Sequence, residues 1–136
     1  MNWKIIFQLS VFGLIMAFTT VWLIPEKIEP VFWVLIFIFC AWVIAKSCRG
    51  RYFLHGFLVS LVNCVWITIV HILFYNDYIA NHPGIAKMAA EHPFMPLHPR
   101  LAMLVTGPVF GIISGIVLGI FAVIASKLIT KKVAVR

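Results

Sequence analysis

Four long apolar runs, at roughly 5–24, 31–46, 52–75 and 101–126, decide what this chain can become. Crossing about 30 Å of hydrocarbon at about 1.5 Å rise per residue takes about 20 apolar residues in a helix. The first, third and fourth runs are long enough as they stand. The second is short, and it reaches if Glu29 and Lys46 extend outward while the bilayer thins locally. With 63% hydrophobic and 11% charged residues, the chain has too little polar surface to wrap a water-soluble core. The expected fold is an all-α membrane protein of four transmembrane helices in an antiparallel bundle. Residues 1–136 form a single four-span domain, with 76–100 as its extracytoplasmic segment.

Orientation follows from Lys and Arg near the ends of the runs. Lys4, Lys46, Arg49, Arg51, Lys127, Lys131, Lys132 and Arg136 fall on one side with no acid among them. The other side holds Lys27, Lys87 and Arg100 together with Glu26, Glu29, Asp77 and Glu91. Both termini are therefore expected in the cytoplasm. The net charge of +7 is spread around three span ends, which suits anionic lipid and gives no patch for nucleic acid. Cys40, Cys48 and Cys64 lie in or near the cytoplasmic parts of spans two and three, where no disulfide is expected.

Pro25 and Pro30 bracket a short link, so spans one and two are expected to be antiparallel neighbours. Span two is apolar on every face and is expected to meet lipid over much of its circumference. Gly50 supplies the cytoplasmic turn that follows it. Span three differs in kind. Ser60, Cys64, Thr68, His71, Tyr75, Tyr78 and His82 recur at steps of three or four, which places a semi-polar stripe on one helix face, with Asn63 beside it. Such a face is expensive against lipid and should point into the bundle or a wet cavity. The same period predicts a helix continuing past the membrane to about Asn81. Asn81 is expected to cap a short helix that begins at Pro83, before Pro93, Pro96 and Pro99 impose an extended strap.

Span four carries Gly107, Gly111, Gly115 and Gly119, a glycine zipper on one helix face that invites close approach of another backbone. Its partner is expected to be span one or three of the same chain, or a second copy across a homo-oligomer seam. Pro108 is expected to kink the helix, so that close packing belongs to the part below it and any cavity opens above.

Two groups of residues invite chemistry. Ser60, Asn63, Thr68, His71 and Tyr75 form a polar stripe suited to a proton or ion path, or simply a neutral His71 imidazole bonded to a backbone or hydroxyl. His82, His92 and His98, with Met88 and Met95 between them, offer imidazole and thioether ligands that suit copper. No zinc-protease, nucleophile-elbow, phosphate-loop or paired-carboxylate pattern is present, so no catalytic residues and no cofactor are expected.

The basic turn with Gly50, Arg51 and Phe53, then Gly56, the run His71 to Tyr78, a Met/Pro-bearing outer loop, and Thr106-Gly107-Pro108 leading into the remaining glycines together resemble a family of small bacterial four-span membrane proteins of unknown function. That resemblance implies a four-helix fold in the bacterial inner membrane and supplies no activity. The expected function is that of a non-enzymatic integral membrane protein acting by helix packing and assembly, with itself or in a larger membrane complex. Two alternatives stand beside it: a small pore or carrier lined by span three, and an extracytoplasmic metal-binding or sensing module.

Overall fold

The structure is a computed structural model; it describes residues 1–91 and 98–134, the last five by their backbone alone. Its described residues are helical with short links: α1 Trp3–Trp22, α2 Glu29–Ser47, α3 Tyr52–Leu73, α4 Tyr75–Asn81, α5 Pro83–Glu91 and α6 Pro99–Ala134. Among them α1, α2, α3 and residues Pro99–Ile129 of α6 are long and apolar enough to cross a membrane. Lys131, Lys132 and Arg136, counted above for orientation, lie outside the described side chains, and so do His92, Pro93, Met95 and Pro96 of the strap.

Local chemistry explains the boundaries. The Asn2 side chain accepts from the Ile5 amide and starts α1. Glu29 and Pro30 open α2 two residues earlier than the apolar run suggests. Proline costs nothing in a first turn, and a carboxylate there favours the positive end of the helix dipole. Gly50 at φ 137° and Arg51 at φ 50° reverse the chain into α3. The expected continuous helix through His71 to Asn81 is broken: α3 stops at Leu73, and Phe74, at φ −105° and ψ 35°, re-aims the chain into α4. No Pro or Gly marks that break. Phe74 instead packs edge-on against Trp22, with ring centroids 4.9 Å apart. Asn81 does not cap α5; its amide donates to Val21 O at 2.6 Å and ties α4 to the end of α1. Pro108 lies inside an uninterrupted α6 with its ring exposed.

The helices pack in an order the link lengths do not give. The largest interface is α3 on α6, followed by α1 on α3 and α2 on α6; α1 and α2, joined through the link 23–28, touch far less. Thus the predicted hairpin of spans one and two shares only a small face, where the Phe12 and Phe39 rings meet edge-on at 5.4 Å. Contacts fix relative directions: Gly119 meets Phe53 and Gly107 meets Thr68, so α3 and α6 run oppositely. Asn2 reaches His55 and Thr20 reaches His71, so α1 and α3 run the same way.

Two apolar clusters divide the molecule along its length. Near the termini, Ile6, Leu9, Cys40, Ala41, Ile44, Val59, Leu118 and Ala122 join all four long helices. Towards the other end, which carries Glu26, Glu29 and Asp77, the buried cluster is Ala17, Val21, Val70 and Tyr78, from α1, α3 and α4 alone. Helix α2 buries only Cys40, Ala41, Ile44 and Ala45, all in its second half. Its first half therefore stands away from α3 at the acidic end.

The glycine face of α6 is filled by α3. A methyl group added at Gly111 would lie 2.7 Å from Cys64 Cβ, at Gly115 2.9 Å from the Phe57 ring, and at Gly119 2.7 Å from the Phe53 ring. At Gly107 it would collide with the Thr68 hydroxyl. Gly56 of α3 completes the fit: its methyl would come 2.7 Å from the Leu118 carbonyl and 2.9 Å from Gly119 Cα. Backbone meets backbone there, the closest approach two helices make.

Candidate functional site

Where α2 leaves α3, a cavity of about 670 Å³ opens between α2, α3 and α6, with Ile85, Met88 and Ala89 of α5 across its mouth. Trp33 and Phe37 form its α2 wall; Ala102, Met103 and Phe110 form its α6 wall. The third wall is the semi-polar face of α3 and α4, with Ser60, Asn63, Cys64, Thr68, His71, Tyr75 and Tyr78.

Along that wall the polar groups divide by depth. Deep in the cavity they are spent on α6. Ser114 gives its proton to Phe110 O at 2.7 Å, so Ser60 donates to Ser114 Oγ, also at 2.7 Å. The Cys64 thiol donates to Gly107 O at 2.8 Å. These bonds stitch the stripe to carbonyls that the glycine face leaves open to approach.

Near the mouth the stripe becomes a column of rings. His71, Tyr78 and His82 stack with centroids 3.9 Å and 4.2 Å apart. His71 Nε2 lies 3.0 Å from Thr20 Oγ1, whose own proton goes to Met16 O at 2.8 Å, so His71 donates to Thr20. Its side-chain partners are thus Thr20 and Tyr78. Burial, then the neighbouring Glu29 and Glu26 charges, push the Tyr78 phenol up, so it stays protonated through neutral pH. His82 is completely buried, bonded through Nδ1 to Tyr78 O and through Nε2 to Glu29 Oε2.

Asn63 stands apart. It is 3% exposed, packs against Gly13 of α1, and has no hydrogen-bond partner for either amide atom. An unpaired buried amide costs about 1–3 kcal/mol. It is the one such side chain among the described residues.

The sequence-derived groups fare differently. The polar stripe Ser60, Asn63, Thr68, His71 and Tyr75 shares one cavity wall. Of the histidines considered for metal, His82 is committed to Tyr78 and Glu29, His98 is exposed, and His92 lies outside the described residues. No three His, Cys, Asp or Glu side chains gather as a metal site among the described residues. Sequence reasoning missed Gly13, Gly56 and above all Glu29, which was expected to snorkel outward. Instead Glu29 turns in, accepting from Trp33 Nε1 at 3.1 Å and facing His82. The four-residue spacing of Glu29 and Trp33 on one helix face was the available signal. Nothing local links Glu29 to His82, 53 residues away.

Comparison with protein-family models, with curated proteins and with solved structures gives no match.

Proposed function

We propose that this chain is a multi-pass protein of the bacterial inner membrane whose four spans alternate in direction with both termini in the cytoplasm, and that it binds or carries a small neutral amphiphile in the cavity between α2, α3 and α6. The cavity carries this reading. At about 30 Å³ per water-sized group it has room for roughly 20 such groups, a single chain and not a two-chain lipid. Its walls are largely aromatic and aliphatic, with most of the hydrogen-bonding side chains on α3 and α4, beside Thr106 and Ser114 of α6. That combination suits an apolar body with one polar head. The carboxylates at its mouth are already engaged, Glu29 by His82 and Trp33 and Glu26 by the Gly84 amide at 3.0 Å. No Lys or Arg lines it among the described residues, which disfavours an anionic head.

Assembly with a second copy or a larger complex drew its support from the glycine face of α6. That face is occupied by α3 of the same chain, so the ladder no longer speaks for an intermolecular seam. Thermal unfolding in lipid with added dodecanol tests the cavity reading. A ligand at 100 times its Kd stabilises by about 2.7 kcal/mol. The expected result is a rise in midpoint in the parent protein that is lost in Ala102→Phe, which fills the cavity from α6. Equal shifts in both would mean that the alcohol acts through the bilayer.

A further inference from the structure

The acidic end holds a pair of groups whose geometry fixes a proton count. His82 Nδ1 is 2.9 Å from the Tyr78 carbonyl oxygen, which only accepts, so Nδ1 carries a hydrogen. His82 Nε2 is 3.2 Å from Glu29 Oε2. Trp33 donates to the other carboxylate oxygen and leaves this contact without a hydrogen of its own. A neutral imidazole would then turn its lone pair on a carboxylate. The contact is favourable only with one more proton, either on Nε2 as imidazolium or on Glu29 as the acid. The proton belongs to the pair.

His55 shows the contrast. Its Nδ1 donates to Arg51 O at 2.9 Å, but its Nε2 accepts the Asn2 amide at 3.0 Å, which suits a neutral ring. The two histidines have the same carbonyl partner four residues back and opposite demands at the second nitrogen.

His82 also sits at a mechanical junction. It ends α4 and immediately precedes Pro83 of α5, and its carbonyl accepts the Ala86 amide in the first turn of α5. Helix α5 has no buried residue, yet Ile85, Met88 and Ala89 line the cavity mouth. Its first turn is held to the 26–29 link through Glu29 on His82 and Glu26 on the Gly84 amide. The titratable groups around the ring are Glu29 from α2, Tyr78 from α4 and, through the stack, His71 from α3, with Glu26 near the same phenol.

We infer that Glu29 and His82 form a one-proton binding site that latches α5 over the cavity mouth, and that releasing the proton frees α5. An imidazole in water is largely neutral above about pH 6.5, and a carboxylate is ionised there, so the separated pair keeps no extra proton. The closed form thus holds one proton that the open form gives up. Raising the pH favours opening, by up to about tenfold per pH unit. The proton site stands on hydrogen-bond polarity alone; only what the latch covers rests on the cavity reading.

Cys64, on the cavity wall, reports the opening. Its alkylation by iodoacetamide is followed by peptide mass spectrometry on the full chain in lipid vesicles, and each rate is divided by that of the unfolded chain at the same pH. The parent protein is expected to protect Cys64 at pH 6 and to lose protection as pH rises, by up to about tenfold per unit. Glu29→Gln keeps protection at every pH, because its amide N–H donates to a neutral imidazole. Glu29→Ala loses protection throughout. Protection that is flat with pH in the parent, or Glu29→Gln following the parent, overturns the inference. A second readout is side-chain NMR of labelled histidine and glutamate, with His82 assigned from His82→Asn. Finding a neutral imidazole and an ionised Glu29 together in the protected state overturns it as well. Failure of dodecanol to stabilise the protein, with the protection pattern intact, would remove the cavity ligand and leave the proton latch standing.

Discussion

The same face of α3 does two different things at its two ends. Towards the termini, Phe53, Gly56 and Phe57 press into Gly115 and Gly119 until backbone touches backbone, and all four long helices share one apolar cluster. Towards the acidic end, residues from Ser60 to Tyr78 line a space that α2 leaves open, with Ser60 and Cys64 bonded to α6, and the cluster shrinks to α1, α3 and α4. The difference lies in the partners. Small residues at Gly56, Gly115, Gly119, Ala41 and Ala122 let helices close. Trp33 and Phe37 of α2 instead face the cavity.

The sharpest way to break this comparison is to add bulk at both ends. Gly56→Leu has no room against the Leu118 carbonyl and Gly119, and neither neighbour is a flexible side chain. It should cost about 3 kcal/mol or more and leave little folded protein in a thermal or denaturant melt. Ala102→Phe, a change of similar volume at the cavity, should move stability by no more than about 1–2 kcal/mol, and in the favourable direction. Equal damage from both would mean that the acidic end is as tightly packed as the other.

A smaller effect sharpens the functional side. Asn63→Leu removes an amide that nothing satisfies, so the protein should become more stable by about 1–3 kcal/mol. If the amide meets the head of a cavity ligand, the same change should weaken dodecanol stabilisation. Stability and binding would then move in opposite directions, a pattern that a purely structural asparagine does not produce.

The smallest expected effect is at the boundary between the two regions. Ser60→Ala removes the bond to Ser114 Oγ, while Ser114 keeps its bond to Phe110 O. The cost should be about 1 kcal/mol, read from the same melt.

Much of the helical content was legible because burial in lipid forces long apolar helices, and four such runs are visible in the sequence. The glycine period and the polar stripe were legible for the same reason: side chains three and four apart share a face. Which face meets which was not. The short Pro25–Pro30 link suggested that spans one and two pair, but a link constrains only ends, and the small residues of α2 lie in its far half at Cys40, Ala41 and Ala45. The break at Phe74 carries no Gly or Pro, since its cause is tertiary contact with Trp22. Glu29 read as a snorkelling interfacial acid because its partner, His82, is reached only once α4 packs against the end of α1 and brings the α4–α5 junction to the start of α2.

The central claim is that the acidic end encloses a site for an amphiphile. It is tested most directly at Trp33, on the cavity wall, with Trp3, Trp22, Trp42 and Trp66 replaced by Phe so that it is the only indole. Quenching by a brominated long-chain alcohol in lipid vesicles should show a saturable component that dodecanol competes away and that Ala102→Phe removes, above a linear background from the bilayer. Quenching that stays linear, and equal in the parent and in Ala102→Phe, would contradict the account.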